Sequence, residues 1–71
     1  MTETRAVEIA VAAAKERGWK GPFDAFATRS NERGDSQWGS VRLLDHDKDS
    51  RLLIVYLSTK GEVLDFSVRP R

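Results

Sequence analysis

No cysteine occurs anywhere in the chain, so disulfide staples and zinc–thiolate sites are excluded. His46 is the only histidine and cannot assemble a histidine-based metal site alone. No apolar run approaches the ~20 residues that cross a bilayer as a helix. Neither charge sign dominates, with 12 basic residues against 11 acidic ones. Nucleic-acid binders ordinarily show a basic excess on one face, so weak nucleic-acid binding stands as an alternative only. The five glycines, Gly18, Gly21, Gly34, Gly39 and Gly61, are too scattered for a phosphate-binding loop. No nucleophile motif surrounds Ser36, Ser40, Ser50, Ser58 or Ser67. The opening residues lack the charged-then-apolar layout of a signal peptide, and a cytoplasmic location is expected.

At 71 residues the chain is one domain near the lower size limit for folding on a single core. Chains this small commonly add disulfides, a metal or a second chain. With the first two unsupported, oligomerisation or partner binding is the expected addition. Eight of the 12 basic residues are arginines, the cation better suited to interface pairing.

The periodicity predicts a helix over 3–17, capped by Thr2 and ended by Gly18. Ala6, Ala10, Ala13 and Ala14 share one side of it, flanked by Val7, Ile9 and Val11, with Arg5, Glu8, Lys15 and Glu16 opposite. After Gly21-Pro22 the period changes to two. Strands are expected at 23–29, 37–45, 51–59 and 62–68, with Pro70 as a stop. Their links are short and turn-like, and Lys60-Gly61 closes the last one. The fold class is therefore α+β: one N-terminal helix on a three- to four-stranded antiparallel meander.

One helix covers one face of a sheet. Leu64, Phe66 and Val68 are expected beneath it, with Val41, Leu43, Leu53, Val55 and Leu57. The opposite face should then be polar, yet alternation sends Leu52, Ile54 and Tyr56 there, with Trp38, Arg42 and Leu44 of the preceding strand. These six residues are the candidate protein-binding site, because aromatics and arginine are enriched where proteins meet. Trp19 and Phe26 are left without a face.

Asp45, Asp47 and Asp49 alternate around His46. A calcium loop needs glycine at its sixth position and glutamate at its twelfth, where this chain has Ser50 and Tyr56. A solvated hairpin turn is the expectation, and His46 beside it lacks the enclosed pocket that proton transfer requires.

Two stretches carry a family resemblance. Thr4–Ala14 is an alanine-rich helix that follows a threonine, and Leu53–Leu64 is a hairpin whose turn reads Thr59-Lys60-Gly61-Glu62-Val63-Leu64. In both the chain resembles small PepSY-type domains, and more broadly the cystatin-like arrangement of a helix across an antiparallel sheet. The resemblance covers about half the chain. It implies a non-catalytic binding or inhibitory module, since PepSY-type domains restrain peptidases or bind ligands. The segment from Lys20 to Ser40 is unlike that family, and the cystatin motif Gln-x-Val-x-Gly is absent.

The expected function is a non-catalytic protein-binding module, a homodimer or a partner-binding domain, using the sheet face opposite the helix. The alternative is a small inhibitor of a larger enzyme complex, of the phage or mobile-element type or directed at a peptidase. No catalytic residue, metal, cofactor, small-molecule substrate or membrane partner is expected.

Overall fold

The computed structural model describes residues 1–46 and 51–69. Thr2 starts the helix: its hydroxyl accepts the Arg5 N–H at 3.1 Å, which satisfies one of the first-turn donors that no helical carbonyl can reach. Helix α1 spans Glu3–Glu16. Beyond it Gly18 turns to φ +90° and lets the Trp19 N–H donate back to the Ala14 carbonyl at 3.1 Å, closing the last turn. Ala6, Ala10 and Ala14, four residues apart, are fully buried. The centre of the helix–sheet contact is therefore made by methyl groups, which let the helix lie close, and Val7, Ile9 and Val11 pack against the same core at its flanks.

Four strands follow: β1 (Phe23–Arg29), β2 (Gln37–Asp45), β3 (Arg51–Ser58) and β4 (Val63–Arg69). They form one antiparallel sheet in the order β1-β2-β3-β4, the meander expected from the short links. The helix and β3 end one residue earlier than the sequence expectation, and β4 is shifted by one residue at both ends. Residues 47–50, which include Asp47, Asp49 and Ser50 of the acidic turn, and Pro70 lie outside the described residues.

The core sits between helix and sheet. Val41, Leu43, Leu53, Val55 and Leu57 are fully buried with the three alanines. Burying a leucine or valine side chain contributes roughly 1.5–3 kcal/mol, so these five supply much of the hydrophobic stabilisation. Asp45 continues the same alternation after Val41 and Leu43 and is fully buried too. That position corrects the expectation of a solvated turn at this residue.

Two further expectations are corrected. Trp38 does not lie on the face opposite the helix. It is 3% exposed and belongs to the helix-side core, where its Nε1–H donates to the Met1 carbonyl at 3.1 Å. The cause is a bulge between Gln37 and Gly39 in the pairing with β3. A bulge adds a residue to one strand and breaks the alternation of faces beyond it.

The second correction concerns β4. Phe66 and Val68 pair with Val55 and Leu53 and so share the helix side, as alternation requires. However, the helix packs chiefly on β1, β2 and β3, and β4 meets the core through Val63 and Phe66 alone among its half-buried apolar residues. Val68 stays exposed, Phe66 is half-buried under the Arg17 guanidinium, 4.4 Å from its ring centre, and Leu64 is exposed at a second register shift.

Candidate protein-binding face

Strand register builds the face opposite the helix row by row. Across the sheet run Asp24–Leu44–Leu52–Arg69, then Phe26–Arg42–Ile54–Ser67, then Thr28–Ser40–Tyr56–Asp65. Five of the six residues read from sequence, Arg42, Leu44, Leu52, Ile54 and Tyr56, come together here. Trp38 does not, and Phe26 takes its place. Phe26 is 63% exposed and stands in the middle of the first strand. Its signal was in the sequence: the small Ala25 and Ala27 mark the helix side of β1, so the residue between them must point away.

Exposure divides the face unevenly. Leu44, Leu52 and Tyr56 are half-buried and Arg42 is exposed. Ile54 is only 7% exposed, although it lies on the open side. Its cross-strand neighbours Arg42 and Ser67 flank it, and a long arginine stem covers apolar surface readily.

Polar pairs bound the apolar centre at both ends. At one end the His46 ring Nε2 lies 2.7 Å from an Asp24 carboxylate oxygen, both side chains being about half exposed. At the other end the loop between β1 and β2 reaches across the sheet. Its Arg33 guanidinium lies 4.3 Å from the Tyr56 ring centre and 2.9 Å from Asp65 Oδ2. That loop is anchored from below, because Gln37 Oε1 accepts the Arg33 backbone N–H at 2.8 Å. Sequence periodicity could not show this cover, since Arg33 lies in no regular element. Among the described residues Arg42 makes no ion pair, so one free guanidinium stands in the centre of an apolar strip.

Asp65 has a second role. Its Oδ1 accepts the N–H of Phe66 at 2.8 Å, a donor that would otherwise face outward from the last strand.

Other polar groups serve the turns. The Ser58 hydroxyl accepts the N–H groups of Lys60 and Glu62 at 3.2 and 3.0 Å, and Gly61 at φ +85° completes that turn. Among the described residues no group of three or more histidine, aspartate or glutamate side chains is placed to hold a metal ion. No helix among them is long and apolar enough to cross a membrane.

Comparison with protein-family models, with curated proteins and with solved structures finds no match for this chain.

Proposed function

We propose that this chain is a non-catalytic protein-binding module whose working surface is the sheet face opposite the helix, taking a protein partner or a second copy of itself. The observation that carries the reading is Phe26, a 63% exposed aromatic in register with Arg42 and Ile54. An apolar centre with charged groups at its margins has the layout of protein interfaces, where aromatics and arginine gather at the core and polar groups at the rim. Size supports it too. A standard interface takes about 800 Å² from each partner, roughly a sixth of the 4538 Å² exposed here, so a partner of ordinary affinity needs a whole side of this molecule. The balanced charge speaks against nucleic acid as the ligand.

The test is Phe26→Asp. The residue is exposed, so the variant should melt within a few degrees of the wild type. Light scattering after size exclusion should find wild-type dimers and variant monomers, or, for a wild-type monomer, a partner that the variant no longer retains. Identical association of the two proteins overturns the reading.

A further inference from the structure

The two edges of the sheet are not alike. The β4 edge is interrupted by a register shift at Leu64, and the outward N–H of Phe66 is capped by Asp65. Such devices keep a sheet from pairing with another chain. The β1 edge has neither. Its pairing with β2 runs without a shift from Phe23 to Arg29.

Which backbone groups β1 presents follows from its ends. The Ser30 N–H donates to the Trp38 carbonyl, and the His46 N–H to the Pro22 carbonyl, each at 3.3 Å. Both pairs extend the β1–β2 register by one residue. Antiparallel pairs alternate between bonded and non-bonded positions. Residues 24, 26 and 28 therefore bond to β2, while Phe23, Ala25, Ala27 and Arg29 turn their N–H and carbonyl groups outward. Among the described residues no side chain or loop caps Ala25 or Ala27.

Beside these open groups lies a groove of 360 Å³ between helix and strand, lined by Glu3, Thr4, Val7, Glu8, Ala25 and Ala27. The alanines make it: a larger side chain at either position would fill it. Its floor is apolar and two carboxylates stand on it. Among the described residues neither Glu3 nor Glu8 has an ion-pair partner.

We propose that the β1 edge accepts an extended segment of a partner protein as a fifth strand, and that this segment carries lysine or arginine at alternate positions. In an added strand, alternate side chains point to the helix side, which places their aliphatic stems over Val7, Ala25 and Ala27 and their cations at Glu3 and Glu8. The remaining side chains lie on the other side, beside Phe26. Pairing gives affinity through the main chain and the groove selects the side chain, as in other strand-addition modes. A second copy of β1 fits worse, because antiparallel self-pairing would bring the partner's glutamates to the same groove as Glu3 and Glu8, and like charges repel. This goes beyond the reading of the open face, since the occupant lies beside the sheet rather than over it.

The experiment uses the full chain and a fluorescein-labelled, end-blocked heptapeptide, Val-Lys-Val-Lys-Val-Lys-Val. Fluorescence anisotropy should show binding that is lost when glutamate replaces lysine, and lost when alternate peptide nitrogens are methylated. Glu3→Gln combined with Glu8→Gln should weaken binding about tenfold and lower the melting temperature by only a few degrees, because both side chains are exposed and the one loss to the fold is the charge of Glu3 at the helix start. By amide exchange, Ala25 and Ala27 should be unprotected in the free protein and protected with peptide. Four results overturn the proposal: no binding up to millimolar protein, equal binding of the lysine and glutamate peptides, protection at β4 instead of β1, or protection of Ala25 and Ala27 that grows with protein concentration alone. The last identifies a second copy as the occupant.

Discussion

One carboxylate of Asp65 holds two groups at once: Oδ1 takes the N–H of its own neighbour Phe66 at 2.8 Å, and Oδ2 takes the guanidinium of Arg33 at 2.9 Å. The pair with Arg33 is nearly half exposed on each side, so it contributes at most about 1 kcal/mol. Its larger effect is on the edge strand. Asp65→Ala is expected to lower stability only slightly, to speed amide exchange at Phe66 and to bring on self-association at lower concentration. Unchanged exchange and an unchanged monomer would show that Asp65 does not guard the edge.

Gly39 is fixed by the strand beside it. A Cβ built there would overlap the Thr28 carbonyl oxygen and crowd Arg29 Cα, both of them backbone atoms that cannot turn aside. Gly39→Ala should therefore cost about 1–3 kcal/mol through overpacking. Urea denaturation measures it, and a wild-type midpoint would rule the contact out as a constraint.

Trp38 ties the start of the chain to the sheet. Trp38→Phe keeps most of the ring but removes the N–H that Met1 accepts. The expected loss is about 1–3 kcal/mol, from the hydrogen bond and the smaller ring together. Amide exchange in the first turn of α1 should rise with it, which a purely local repacking would not produce.

The offset of the helix predicts an order among core truncations. Leu43→Ala, at a fully buried site, should cost about 2–5 kcal/mol. Phe66→Ala should cost less, although phenylalanine is the larger residue, because its ring is half-buried at the margin of the core beneath the Arg17 guanidinium. Equal losses would place the helix further over β4 than described.

Ile54 and Phe26 separate stability from association. Ile54 is already shielded within the monomer at 7% exposure, so Ile54→Asp buries a charge and should lower the melting temperature markedly. Phe26→Asp should not. Comparable melting curves for the two variants would contradict the shielding of Ile54 by its neighbours.

Sequence periodicity carried the architecture far because its signals are local. The alanine spacing at 6, 10 and 14, the cap at Thr2, the turn at Gly18 and the alternation Val41, Leu43, Leu53, Val55, Leu57 each depend on a few adjacent residues. The misplaced residues depend on something else. Trp38 moved because of a bulge, whose presence is set by pairing with Leu57 and Ser58 at the far end of the next strand. Leu64 and Val68 stayed exposed because helix placement over β1 to β3 is decided by how the helix docks, not by β4 itself. Arg33 came to cover Tyr56 through a loop that obeys no period. Of the candidate face, the alternating residues on β2 and β3 were legible, and its charged margins were not.

The plain order of the sheet has a consequence for how the chain finds its structure. Each strand pairs with its neighbour in sequence, so every ladder closes one short loop at modest entropic cost. Only the helix must wait for residues well downstream before its alanines have a surface to meet. A hairpin of β3 and β4, drawn together by the turn that Ser58 and Gly61 hold, can form early, and addition of β2 and then β1 completes the platform on which α1 docks last. Folding faster than that of an all-β protein of the same size, whose pairings span longer stretches of chain, is the expected kinetic counterpart of this topology.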